Sequence, residues 1–221
     1  FCGPRGTGKT TIARLFAKAL NCDQRDKQGD CDDSCSYCLA VKNSNSLDLI
    51  EIDAASQTGV DNIRELTDSV MVAAPGGKYK VYIIDEVHML SKSAFNALLK
   101  TLEEPPAHVV FILATTEPHK ILPTVLSRVQ RFDFKRLTPR QIFGKLKQMA
   151  KHEKAIIADE GLLAIAMSSD GALRDAEVAL SKVIASHDNK KEISVDDVYY
   201  SLGLIPLNYY PALLGYIASG D

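Results

Sequence analysis

Residues 3–10 read Gly3-Pro4-Arg5-Gly6-Thr7-Gly8-Lys9-Thr10 and fit G-x-x-x-x-G-K-[ST] at every fixed position. A loop of this kind wraps its backbone N–H groups around phosphate, which predicts a nucleoside triphosphate site. The glycines let the backbone approach phosphate without a Cβ clash. Lys9 would reach the β and γ phosphates, and the Thr10 hydroxyl would hold Mg²⁺. The expected nucleotide-contacting set is Gly3, Pro4, Arg5, Gly6, Thr7, Gly8, Lys9, Thr10 and Thr11. Downstream, Ile12, Leu15, Phe16, Ala19 and Leu20 share one helical face, so the loop feeds a helix N-terminus, where an anion is stabilised.

The loop is expected to follow a buried strand, yet only Phe1 and Cys2 precede it, and the chain stops at Ser219-Gly220-Asp221 just after an apolar run. Both ends therefore read as cut. The 221 residues suffice for one large or two modest domains. With 26 basic and 28 acidic residues and a net charge of −2, any nucleic-acid contact must come from a local patch. No run of about 18 apolar residues and no signal-peptide pattern occurs, so a cytoplasmic protein without a membrane partner is expected.

Residues 21–46 are polar and carry four of the five cysteines, Cys22, Cys31, Cys35 and Cys38. C-x₂-C in a short cysteine-rich insertion within a reducing compartment points to zinc. With no histidine in the segment the site would be Cys₄, closed and structural. Cys2 stands apart and reads as a small buried residue. Beyond the insertion, Leu47–Asp53 alternates as a strand, and Ile63, Leu66 and Val70 mark a helical face. Val81–Ile84 is a continuous apolar run, expected of a strand buried on both faces, and it delivers Asp85-Glu86 at its carboxyl end. Ser91 opens a helix with Phe95, Leu98, Leu99 and Leu102 inward that Pro105-Pro106 stops, and Val109–Ala114 is a further strand presenting Thr115 and Thr116. Strands alternating with helices predict a parallel three-layer α/β domain over 1–136. From Leu137 onward the pattern is helical: Thr138-Pro139 opens one segment, Ser194-x-x-Asp197 another, and no strand intervenes. An all-helical domain over 137–203 and the start of a third element over 204–221 are expected.

The Val81–Glu86 strand has the form of a Walker B motif, with Asp85 holding Mg²⁺ through water and Glu86 orienting and deprotonating the attacking water. Together with residues 3–10, Asp85-Glu86-Val87-His88-Met89-Leu90, the stretch from Asn96 to Pro105, Leu113-Ala114-Thr115-Thr116, Leu126-Ser127-Arg128 and Gly171-Ala172-Leu173-Arg174-Asp175-Ala176 resemble the bacterial clamp-loader ATPases of the DNA polymerase III gamma/tau family. The likeness covers nearly the whole chain. It implies an AAA+ P-loop NTPase core, a helical lid and a collar domain. ATP, Mg²⁺ and Zn²⁺ are the implied cofactors; other clamp-loader subunits in a hetero-oligomeric ring, the sliding clamp and primer-template DNA are the implied partners. By the same resemblance Thr116 matches sensor 1, Arg174 the sensor 2 arginine of the lid, and Arg128 the arginine finger that reaches a neighbour's ATP. Val129 stands where the family's Ser-Arg-Cys motif has cysteine, the interval between Cys31 and Cys35 is one residue longer than usual, and the segment that helps hold adenine is not in the sequence. Ser56, Thr58 and Lys100 are the candidate contacts to DNA phosphates, the first two before a helix N-terminus. The competing readings are a non-hydrolysing structural subunit of the same assembly, which intact Lys9, Thr10, Asp85 and Glu86 speak against, and another AAA+ remodeller such as a helicase loader.

Overall fold

A computed structural model of the chain describes residues 1–31, 33–56, 59–187, 192–205 and 209–219. The chain divides into two compact units, Phe1–Phe134 and Lys135–Asp221. In the first, α1 (Lys9–Asn21) and α2 (Ser36–Lys42) precede β1 (Leu49–Asp53). Then come α3 (Val60–Ser69), β2 (Lys80–Asp85), α4 (Lys92–Glu103), β3 (Val109–Leu113) and the short α5 (Pro123–Leu126). The strands form a parallel sheet in the order β1-β2-β3, with Asp53 level with Asp85 and Ile84 level with Leu113. Parallel strands need crossovers, and α3 and α4 supply them.

β2 explains why the apolar run at Val81–Ile84 does not alternate. Side chains of a strand point to opposite faces in turn, and here both faces are covered. Tyr82 and Ile84 pack with Ile63, Leu66, Val70, Phe95 and Leu98 from α3 and α4. Val81 and Ile83 pack on Ala13 and Ala17 of α1 and on Ile112. All four strand residues are essentially inaccessible.

The face of α1 that meets the sheet carries Ala13, Ala17 and Leu20, and not Ile12, Leu15 or Phe16. Ala13 and Ala17 are fully buried, whereas Ile12, Leu15 and Phe16 are 44%, 48% and 48% exposed. Small residues let the helix axis come close to the strands beneath it, and that closeness brings the phosphate loop over the strand ends. Ile12 and Phe16 instead line a groove along β3 with Phe111, Leu113 and Phe132.

The second unit is helical: α6 (Pro139–His152), α7 (Asp159–Ser168), α8 (Leu173–Ala185), α9 (Val195–Leu202) and α10 (Tyr209–Ser219). Ile142, Leu146, Leu162, Ile165, Ala176, Leu180, Val183 and Val198 form its core. Reciprocal side-chain to backbone bonds cap α6 through Thr138 and Gln141, and α9 through Ser194 and Asp197, satisfying N–H groups a helix leaves open. Among the described residues no helix is long and apolar enough to cross a membrane.

Ala17→Leu should destabilise the protein by about 1–3 kcal/mol through overpacking against Val81 and Ile83. Leu15→Gln on the half-exposed face should change stability by less than about 1 kcal/mol. Chemical denaturation midpoints check the contrast, and equal losses would contradict the assigned buried face.

Candidate nucleotide and metal sites

The phosphate loop is anchored at the carboxyl end of the sheet. Cys2 lies parallel to two segments at once, bridging Thr115 and Asp133. Its N–H donates to Phe132 O at 2.9 Å and its carbonyl accepts from Phe134 N at 2.7 Å, while Gly3 N–H donates to Thr115 O at 3.2 Å. Gly3 has φ +151°, and a Cβ there would stand 2.3 Å from the Phe134 carbonyl oxygen. Gly8 has φ +91° with open space around it, so its need for glycine is conformational and not steric.

Gly8 occupies the N-cap of α1 in a left-handed conformation, without a side-chain cap, and the first turn carries no acidic residue. By contrast, Ser91 caps α4 by accepting from Ala94 N at 3.2 Å. The start of α1 thus keeps its positive dipole end and amide donors open to an anion. Lys9 is only 6% exposed, and its Nζ donates to the Gly3 and Pro4 carbonyls at 2.9 Å each. Thr7 Oγ1 closes the same turn on Pro4 O at 2.8 Å. Burial pushes the Lys9 ammonium below its ordinary value, and Glu86 and Asp85 pull it back up. This is a desolvated cation held by neutral carbonyls beside two carboxylates. Arg5 and Thr11 are exposed on the loop and the first turn.

Across from the loop, Thr10 Oγ1 donates to Asp85 Oδ2 at 2.5 Å, and Asp85 Oδ1 accepts from Glu86 N at 2.9 Å. A hydroxyl and a carboxylate oxygen placed this closely are the hard ligands Mg²⁺ takes alongside water and phosphate. Glu86 has φ +45° and ψ +43°, a left-handed conformation that costs a non-glycine residue about 1–2 kcal/mol. The turn is fixed by Val87 N–H on Ala114 O at 2.9 Å. Its carboxylate Oε2 accepts from Thr116 Oγ1 at 2.9 Å and Thr116 N at 3.3 Å. The structure therefore gathers Lys9, Thr10, Asp85, Glu86 and Thr116 at one place.

Arg128 follows α5. Its guanidinium pairs with Glu103 of α4 at 2.7 Å and donates to the Thr124 carbonyl. Arg174 is exposed in the first turn of α8, in the second unit. Ser56 is exposed in a turn where its hydroxyl donates to Asp53 O at 3.0 Å, and Lys100 is exposed on α4. Thr58 lies outside the described residues. Sequence reading passed over His88, Glu117 and Glu103. For His88 the available signal was a polar residue one turn after Asp85-Glu86, set between apolar Val87 and Met89-Leu90.

In the insertion, the sulfurs of Cys22, Cys31 and Cys38 lie within 4.8 Å of one another, and Cys35 Sγ lies 3.9 Å from Cys22 Sγ. Tetrahedral zinc with bonds of about 2.3 Å sets sulfurs roughly 3.8 Å apart, so this set could hold one. Cys35 also caps α2 by accepting from Cys38 N at 3.4 Å. That bond holds the Cys35 thiol below its ordinary value, while burial pushes Cys31 and Cys38 up. A cation would relieve this crowding by taking the thiolates.

The fold is that of an AAA+ P-loop NTPase. Thermotoga maritima RuvB structures superpose with TM-scores of 0.64 for a point mutant and 0.63 for the protein titled a Holliday junction branch migration motor. Identities are 18% and 19%; the matches cover 92% and 91% of this chain and 60% and 59% of those chains. The chain belongs to the family described as DNA polymerase III, delta subunit, whose sequence model matches residues 1–138. DNA polymerase III subunit tau of Bacillus subtilis (strain 168) is 53% identical over 185 residues, 84% of this chain and 33% of the relative. The tau/gamma subunit of Haemophilus influenzae is 44% identical over the whole chain and 32% of its own length, and the Escherichia coli (strain K12) tau subunit 46% identical over 93% of this chain and 31% of its own. The chain spans about a third of the length of these relatives.

Gly8→Ala should cost about 1–2 kcal/mol for the left-handed backbone, and Gly3→Ala on the order of 3 kcal/mol or more because the clash with Phe134 adds to the strain. Thermal unfolding of both variants ranks them; the reverse order would contradict the loop geometry.

Proposed function

We propose that the chain is the ATP-hydrolysing part of a clamp-loader subunit, which works in a ring with related subunits to place a sliding clamp on primer-template DNA. The observation that carries this reading is the open N-terminus of α1 beside the Thr10–Asp85 pair, with Glu86 adjoining. Kinship with DNA polymerase III tau and gamma subunits supports the choice of assembly.

In this reading the loop amides and Lys9 bind the β and γ phosphates. Thr10 and Asp85 would hold Mg²⁺, which would supply the charge that neutralises the phosphate oxygens. Glu86 takes the proton of the attacking water, and Thr116 sets where its carboxylate stands. Arg128 acts on a neighbouring subunit's nucleotide, leaving its pair with Glu103 to do so, and Arg174 acts from the helical unit, which serves as the lid. Ser56, Thr58 and Lys100 meet DNA phosphates. The four cysteines hold a structural Zn²⁺ that orders a segment with little apolar core of its own.

In the assembled complex, Lys9→Ala should weaken ATP binding, whereas Glu86→Gln should keep binding and stop turnover. Arg128→Ala should keep binding and lose about 10³–10⁵ in turnover, with little change in the isolated subunit. Nucleotide titration and clamp- and DNA-stimulated phosphate release measure these; equal loss of binding in the first two variants would reject the role of Glu86. Separately, elemental analysis of reductively purified protein should find one zinc per chain. Cys38→Ser should remove it and speed amide exchange over residues 22–42 while sparing nucleotide affinity; absence of zinc in the unaltered protein would end that assignment.

A further inference from the structure

His88 is drawn into the site by a turn that sequence patterning does not explain. Its side chain is 6% exposed and the ring stands between two carboxylates. Nε2 is 3.1 Å from Glu117 Oε2, and Nδ1 is 3.0 Å from Thr115 Oγ1 and 3.4 Å from Glu86 Oε2. The two ring nitrogens thus face groups on the Thr115–Glu117 segment, a hydroxyl on one side and a carboxylate on the other. Thr115 Oγ1 also accepts the Glu117 N–H at 3.0 Å, which holds these two residues of the segment together beside the ring. Glu117 stays anionic beside Lys120, whose 2.6 Å hydrogen bond holds its carboxyl below the usual value.

We propose that His88 is a positioning residue for Glu86: its ring clamps the turn carrying Glu86 to the Thr115-Thr116-Glu117 segment, whose Thr116 donors aim the Glu86 carboxylate. Glu86 Oε2 accepts from Thr116 Oγ1 and Thr116 N, and the His88 ring lies 3.4 Å from the same oxygen. Fixing the distance between these two segments therefore fixes the water-activating group. The inference rests on the reading of Glu86 as the residue acting on water, and it adds that the geometry of Glu86 is set through a buried imidazole and an acidic residue at the site's rim.

The test uses the full-length protein in its assembled complex, with ATP turnover measured at saturating clamp and primed DNA. His88→Ala should lower kcat about 10- to 100-fold, the penalty for a misplaced reacting group, with KM for ATP and nucleotide affinity unchanged. His88→Gln, which keeps an N–H donor toward Glu117, should recover a substantial part of that loss. Glu117→Gln leaves the buried ring in place and should lower kcat in the same direction, so the outcome stands even where His88→Ala fails to fold. If Glu86→Gln stops turnover while His88→Gln and Glu117→Gln both keep the unaltered kcat, or if the variants raise KM and leave kcat alone, His88 does not position Glu86. If Glu86→Gln itself keeps turning over, the reading of Glu86 fails first, and the role of His88 with it.

Discussion

Burial of β2 on both faces is the constraint from which the site follows. A strand with no face in water must satisfy every backbone donor and acceptor through its neighbours. Here β1 runs parallel along Val81–Asp85 on one side and β3 along Lys80–Ile84 on the other, each in unbroken register. All three strands consequently end at the same edge, where Asp85, Glu86 and Thr116 emerge together and where Cys2 is stitched against Thr115. Loss of that register would separate Thr10 from Asp85, a contact between the first turn of α1 and the end of β2.

The second requirement is close approach by α1. Ala13 and Ala17 bring the helix down on Val81 and Ile83, and the uncapped N-terminus then projects over the strand ends. The arrangement forgoes a cap, which typically contributes about 1 kcal/mol, and it places Lys9 among carbonyls in a mostly buried position. Such a helix start is less favourable on its own than one closed by serine. An anion at such a helix start would meet the open amides, the dipole and the ammonium together.

Around Glu86 the groups form a linked set in which each bond restricts the next. Thr116 donates to Glu86, the His88 ring stands against Thr115 Oγ1 and the Glu117 carboxylate, and Lys120 holds Glu117. The left-handed backbone at Glu86 is strain of the kind that surrounding contacts must hold in place. Residues on the two sides of this set come from β2 and from the end of β3, so the sheet register and the carboxylate geometry are one problem. Arg128, which faces Glu103 and not this set, stands outside that linkage.

The sequence alone determined the phosphate loop, the acidic pair at the end of a buried strand, the alternation of strands and helices, and the helical character beyond Leu137. These rest on local rules: glycine at special backbone positions, apolar runs of strand length, and caps within three residues of a helix start. The tertiary structure decided what depends on partners distant in the chain. It chose Ala13 and Ala17 over Ile12, Leu15 and Phe16 as the buried face of α1, because burial depends on how near the sheet lies and not on side-chain size. It placed His88 between Glu86 and Glu117 and paired Arg128 with Glu103, contacts that span 2 to 29 positions and leave no periodic signal. It also drew together the sulfurs of Cys22, Cys31 and Cys38. Spacing proposed that cluster, but only the path of the chain from α1 into α2 could bring those sulfurs together.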